Sequence, residues 1–321
     1  MPVDITELFM CPLCKCDLRI NSEQNNLVCV KDVSHSFSYE NQVLDFSGIE
    51  AAQGAQLRTK ESFGVEWSEY YPRLGFSDKE FEKEKNQFIT YTRGMPNFFN
   101  DKIVLDAGCG NGRYSYLLNH ISQPRMVIAC DISNAVYVAR KNLADLKNMV
   151  FVKCDLRRLK DVLKLKIDYI MSIGVLHHTP NARESFLALS DLVADGGFFS
   201  CFLYGKGNPV LNSVNLYLRN NFLQRFSRKN IMIFCRVLSI PYYILRSIKV
   251  LGPWIMDLML RFVFIGNVHN MYDAYTAGYT SFHTRDEVEE WYRTAGFEAV
   301  IESRLRGTAL YCIGRKMKLS R

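Results

Sequence analysis

The 321-residue chain has no uncharged hydrophobic run near the roughly 18 residues that a membrane-spanning helix requires. No transmembrane segment is therefore expected. Met1-Pro2-Val3-Asp4 has no basic segment leading into an apolar stretch. No conventional export signal is therefore expected, and the reading is of a cytoplasmic protein. Charge of one sign is also modest: 40 Lys and Arg against 33 Asp and Glu leave +7. Such a balance is compatible with RNA, an anionic membrane surface or a phosphorylated substrate, and diagnostic of none. Ten cysteines without an export signal read as reduced thiols and metal ligands rather than as a disulfide framework. With 48% hydrophobic residues, the length suffices for one large core plus smaller appendages.

What is present is organised around Ile103-Val104-Leu105-Asp106-Ala107-Gly108-Cys109-Gly110-Asn111-Gly112-Arg113. A β-branched and leucine run enters a turn with glycines at alternate positions. Tyr114, Leu117, Leu118 and Ile121 then repeat at helical spacing, so the stretch reads as strand, tight turn and amphipathic helix. Glycine lets a ligand approach the backbone closely, and a helix N-terminus offers free N–H groups to ligand oxygens. A dinucleotide fingerprint would place its third glycine at Arg113, so the pattern is G-x-G-x-G behind an acid, Asp106.

Further buried strands end in acids. The strand through Met126 closes on Asp131, about twenty residues beyond the turn, where Rossmann-like sheets place a carboxylate for ribose hydroxyls. Ser133 is suited to cap the next helix. Val150-Phe151-Val152 leads to Asp155, and the strand through Ile167 to Ile173 runs into His177-His178-Thr179-Pro180. A histidine at the carboxyl end of such a strand can take a proton from a substrate hydroxyl; the competing reading has both imidazoles bonded to loop carbonyls. His177 is the first choice as base and His178 the second. Repeated strand-and-helix units predict an α/β fold with a parallel sheet.

Ahead of this, Cys11-Pro12-Leu13-Cys14 is a CxxC knuckle, followed by Cys16, Cys29 and His35. Two thiolates on one turn hold half of a tetrahedral zinc site, and a facing hairpin must supply the rest. Cys11, Cys14, Cys29 and His35 are the expected ligands, with Cys16 in reserve, because Asp32 stands where a second CxxC would have its cysteine. Residues 51–59 read as a polar linker. Next come Phe63-Gly64-Val65-Glu66-Trp67-Ser68-Glu69-Tyr70, then a charged helix ending before Pro96. Sheet periodicity stops after residue 206, and a basic, aromatic-rich stretch of two to four amphipathic helices follows, suited to a membrane surface, a greasy substrate or plain packing on the core. Thr284-Arg285-Asp286-Glu287 is a capping box, and two closing strands are expected after Gly296.

These motifs resemble class I S-adenosylmethionine (SAM) methyltransferases of the small-molecule and sugar-pathway type, carrying a zinc-ribbon head like those in front of some bacterial methyltransferases. The resemblance implies a Rossmann-like sheet of seven strands, one of them antiparallel, with an N-terminal zinc ribbon and an inserted helical lid. The implied organisation is a ribbon at 1–48, a connector at 49–100, a SAM-binding core at 101–206, a lid at 207–270 and a closing core segment at 271–321. SAM would be held by Asp106, Gly108, Cys109, Gly110, Gly112, Asp131, Ile132, Asp155, Leu156 and Ile173, and substrate by Trp67, Tyr70, Tyr279 and His283. The implied reaction is methyl transfer to a hydroxyl of a small molecule, sugar or lipid-linked glycan, with structural Zn2+ in the ribbon and peripheral membrane contact through 207–270. An RNA base methyltransferase gripping nucleic acid with the ribbon is the runner-up, disfavoured because the ribbon has few cations (Lys15, Arg19 and Lys31). A non-catalytic SAM-fold scaffold is the third reading.

Overall fold

The computed structural model describes residues 4–49, 52–94, 96–207, 209–247, 268–304 and 309–318. The expectations for 248–267 lie outside the described residues. A short helix α1 (Ile5–Leu8) precedes the strands β1 (Leu18–Asn21), β2 (Asn26–Cys29), β3 (Ser36–Glu40) and β4 (Val43–Asp45). Each of these strands pairs antiparallel with the next. Then β4 pairs parallel with a strand far along the chain, β7 (Met149–Lys153), with Val43 opposite Phe151 and Asp45 opposite Lys153. Lys153 Nζ donates to Asp45 Oδ2 at 3.0 Å and ties the junction.

The remaining strands are β5 (Ile103–Ala107), β6 (Met126–Asp131), β8 (Ile167–Ile173), β9 (Val193–Tyr204), β10 (Phe297–Arg304) and β11 (Ala309–Lys316). Spatial order is β1-β2-β3-β4-β7-β6-β5-β8-β9-β11-β10, one mixed sheet of eleven strands. The expected seven strands with one reversed are the stretch from β7 to β10, in which β11 runs antiparallel to both neighbours. The count of seven is corrected to eleven because β4 occupies the free edge of β7, whose unpaired backbone groups invite another strand.

Helices cover the sheet. All residues of β5 and β6 are buried, as parallel strands covered on both faces require, and each such aliphatic side chain contributes roughly 1.5–3 kcal/mol by leaving water. Residues 51–59, expected as linker, instead begin a helix, α2 (Gly54–Val65), continued by a π-helical turn over Glu66–Tyr70. The sequence conceals α2 because it has no apolar stripe. Its buried positions are Thr59, Ser62 and Gly64. The charged helix is α3 (Asp78–Thr92), stopped by Arg93 in the left-handed conformation at φ +54.

Between strands lie α4 (Arg113–Ile121), α5 (Ala135–Asn142), α6 (Leu159–Val162) and α7 (Ala182–Ser190). After β9, α8 (Pro209–Asn221) and α9 (Arg228–Ser247) are the described helices of the segment expected as a lid. Ile231, Met232 and Cys235 of α9 pack on Met271, Tyr272 and Tyr275 of α10 (Val268–Thr276). The helix α11 (Arg285–Thr294) starts with the expected capping box between Thr284 and Glu287. Among the described residues, no helix is long and apolar enough to cross a membrane.

Candidate functional site

Two groups of chemistry-bearing residues converge where the sequence places motifs. The first is in the N-terminal strands. Cys11 N donates to Cys16 O and Lys15 N to Cys11 O, both at 2.8 Å, with Lys15 at φ +61. That turn presents Cys11 and Cys14 to Cys29 at the end of β2 and to His35 just before β3. The four ligand atoms lie within 4.8 Å of one another. Cys14 Sγ is 3.3 Å from Cys29 Sγ, and Cys11 Sγ is 3.5 Å from His35 Nδ1. Zinc bonds of ~2.3 Å to sulfur and ~2.0 Å to nitrogen require tetrahedral edges of roughly 3.5–3.8 Å, so the set is close to closed around an ion of that size. Cys16 Sγ turns to the Cys14 carbonyl at 3.6 Å and is outside the group. Asp32 is not in it either. Its Oδ2 stands 3.5 Å from His35 Nε2, where an outer carboxylate orients a metal-binding imidazole.

The second group surrounds a partly open cavity at the carboxyl ends of β5, β6, β7 and β8. Its walls include Gly108, Asp131, Ile132, Asp155, Leu156, Ile173 and His178. Open α/β sheets bind ligands at this end. The glycine turn makes its floor: Gly108, Gly110 and Gly112 have φ of +88, +53 and +87. At Gly108 a Cβ would stand 2.3 Å from Val175, and at Gly110 it would stand 3.2 Å from the Trp67 ring. The backbone of the turn is therefore in direct contact with side chains from two other segments. Asp106 lies beneath, its Oδ2 accepting from Ser115 Oγ at 2.7 Å, and burial pushes its carboxyl up to about 7. Cys109 is buried with its thiol toward the Gly110 carbonyl.

Carboxylate occupancy can be counted. Asp131 Oδ1 accepts from Ser133 N (2.8 Å) and Ser133 Oγ (2.7 Å), and Oδ2 accepts from Gly110 N (3.0 Å). A carboxylate has about four acceptor sites, which leaves Asp131 room for one more donor. Asp155 has none to spare. Its Oδ1 takes Arg157 N (2.9 Å) and Nε (3.1 Å), and its Oδ2 takes Arg157 Nη2 and Gln56 Nε2, both at 2.7 Å. Gln56 comes from α2, so the unforeseen helix closes over one side of the cavity.

The histidines separate. His178 lines the cavity, and its Nδ1 lies 2.9 Å from the Tyr279 carbonyl. A carbonyl can only accept, so Nδ1 carries the proton and Nε2 keeps its lone pair. Nε2 is buried without a partner, and burial lowers the imidazole to about 4. His177, the preferred base from sequence, is not among the lining residues. It is fully buried against Tyr204, ring centroids 3.8 Å apart, and burial holds it well below the usual imidazole range.

Of the expected substrate contacts, Trp67 lines the cavity. Tyr279 meets His178 through its carbonyl. Tyr70 packs on Tyr272 at 5.4 Å, and His283 bonds Ser281 and packs on Trp291, neither ring lining the cavity. Gln56 and Thr59 also contribute to the wall and escaped the sequence reading. Both lie in the stretch taken for a linker, and no periodicity marked them.

Residues 105–199 match the family model described as a methyltransferase domain. A Synechococcus protein described as uncharacterized is 30% identical over 107 residues, 32% of this chain and 25% of that protein. A tRNA U34 carboxymethyltransferase from Campylobacter fetus is 27% identical over 122 residues, 36% of this chain and 42% of the relative. The chain thus matches less than half the length of either curated relative. Among solved structures, an O-methyltransferase family protein from Burkholderia thailandensis is 18% identical with TM-score 0.42, covering 68% of this chain and 52% of its own. Magnesium protoporphyrin IX methyltransferase from Synechocystis with bound SAM is 13% identical with TM-score 0.45, covering 83% and 99%.

Proposed function

We propose that the cavity binds S-adenosylmethionine and that the chain transfers its methyl group to a hydroxyl of a small molecule, sugar or lipid-linked glycan. The observation that carries this reading is the coincidence of the methyltransferase-domain match with a cavity bounded by the glycine turn, Asp131 and Asp155. The residues fit such a ligand in three respects. Gly108 brings the backbone of the turn to the cavity wall, where a methionyl group would lie, Asp131 keeps one acceptor site for a ribose hydroxyl, and the unpartnered Nε2 of His178 is an acceptor awaiting a donor. Asp155 is the exception: an adenine amino group would have to replace Gln56 there.

Bound SAM supplies an electrophilic methyl on a sulfonium. The chain's own part is to position an acceptor hydroxyl and hold its proton. His178 Nε2 is the atom to receive that proton. Because burial keeps this imidazole a weak base, most of the acceleration comes from orientation, with a modest base contribution. Trp67 walls the turn and restricts the path of the acceptor. In this reading the chain divides into ribbon (1–48), connector (49–100), core (101–206), lid (207–270) and closing segment (271–321), with Zn2+ held by Cys11, Cys14, Cys29 and His35 as a fold-stabilising ion.

A lipid-linked acceptor is favoured by α9. Opposite its packed face it exposes Ile233, Val237, Ile240 and Tyr243, among the exposed cations Lys229 and Arg236. An apolar stripe bordered by cations suits an anionic membrane surface. RNA is the second reading, favoured by the relative that acts on tRNA. Purified protein incubated with methyl-labelled SAM and two cell extracts, one of RNA and one of lipid plus glycan, separates them. Label in the lipid or glycan fraction is expected, and label in RNA alone would overturn the acceptor class.

A further inference from the structure

Next to Trp67, among residues that do not line the cavity, lies a second polar cluster. Glu66, in the π-helical turn, is fully buried, and neither of its carboxylate oxygens has a hydrogen-bond partner. His269 and Asp273 stand one helical turn apart on α10, so their side chains project from the same face. The donor atoms of all three lie within 4.8 Å of one another. His269 Nδ1 is 2.7 Å from Glu66 Oε1 but off hydrogen-bond geometry, and Asp273 Oδ1 is likewise unpartnered. Trp67 and Tyr71 close the imidazole in, at ring distances of 5.3 and 5.0 Å.

Buried carboxylate oxygens without donors are costly. Glu84 is also buried, and Arg113 is the guanidinium near it, Nη1 to Oε2 3.7 Å. Among the described residues, Arg113 is a guanidinium whose charge acts on Glu66 and Asp273 as well as on Glu84. We infer that Glu66, His269 and Asp273 form a site for one first-row divalent metal ion, distinct from the cysteine group. One imidazole and two carboxylates on one side of an ion, with its other positions open to water, is a donor set for Mn2+, Fe2+ or Zn2+. Metal–ligand bonds of ~2.1 Å give neighbouring donors roughly 3 Å apart and opposite donors roughly 4.2 Å apart, so His269 Nδ1 and Glu66 Oε1, at 2.7 Å, would move slightly apart and the group, all within 4.8 Å, would draw in around an ion.

The ligands join two segments distant in sequence, the turn that carries Trp67 and the helix α10. Loading the site fastens Trp67 over Gly110 and α10 against α2. The ion therefore has a structural effect on the cofactor cavity without touching it, and the inference stands whether or not methyl transfer is the reaction.

The test uses full-length protein with the cysteine group loaded with zinc. Titration with Mn2+, followed by loss of the free-ion electron paramagnetic resonance signal, should find one Mn2+ per chain. Glu66→Gln and Asp273→Asn, close to isosteric, should each weaken that binding by more than the roughly 10–100-fold that loss of an outer-shell partner costs. Cys11→Ala should leave it unchanged. Circular dichroism checks that each variant is folded, and His269→Gln serves as a third variant if either carboxylate change unfolds the chain. Absence of a Mn2+ equivalent in the wild-type protein, or equal affinity in the folded variants, would overturn the site.

Discussion

The tautomer and burial of His178 make a quantitative statement about pH. The imidazole is 4% exposed, and burial lowers it from 6.5 to about 4. In the unfolded chain it binds a proton as pH falls below about 6.5, whereas in the folded chain it stays neutral until about pH 4. The unfolded state therefore binds more protons across this window, and stability falls as pH falls through it. At pH 5 the deficit from this residue is about 2 kcal/mol, and above pH 7 it vanishes. Asp106, pushed up to about 7 by burial, acts in the opposite direction, so the wild-type profile alone is ambiguous. His178→Asn keeps an amide donor for the Tyr279 carbonyl while removing the titration. Urea unfolding of both proteins between pH 7.5 and 5 isolates the term as a difference of differences. The wild type should lose about 2 kcal/mol more than the variant on this descent. Parallel stability curves would show that His178 titrates in the folded protein as it does in the unfolded chain, and its role as a neutral acceptor would fall.

Three further outcomes follow from the geometry. Gly108→Ala should cost about 2–4 kcal/mol in urea unfolding, combining left-handed strain with the clash at Val175; Val175→Ala in the same chain should recover the clash and not the strain. Gln56→Ala should strengthen SAM binding by up to about tenfold in calorimetry, because it frees a site on Asp155. Weaker binding would instead make Gln56 a ligand contact. Cys14→Ala should lower bound zinc by one equivalent per chain in atomic emission and lower the melting temperature, while Cys16→Ala should do neither; unchanged zinc in the first variant would dissolve the cysteine group as a metal site.

Much of the cavity was legible because its motifs are local. A strand, a glycine turn and a helix with apolar positions at 114, 117 and 118 are all encoded within residues 103–121, and the acids at strand ends recur at fixed positions. The ordering of His177 and His178 was not, since it depends on which imidazole meets the Tyr279 carbonyl from a segment a hundred residues away. Nor was α2, which buries Thr59, Ser62 and Gly64 rather than an apolar stripe. The joining of the N-terminal strands to the main sheet was hidden for another reason. Val43-Leu44-Asp45 is three residues long, and its partner β7 is separated from it by the whole connector and two strands. The cluster of Glu66, His269 and Asp273 is equally non-local, and no spacing in the sequence announces it.

The central claim, that the cavity between the glycine turn, Asp131 and His178 is a SAM site, is tested most directly by calorimetric titration of the purified chain with S-adenosylhomocysteine, the product left after methyl transfer. One equivalent should bind, and Asp131→Ala should weaken it by roughly tenfold to a hundredfold, as expected for a hydrogen bond to a charged group. No binding by the wild-type chain, or equal affinity in the folded variant, would contradict the assignment of the cavity.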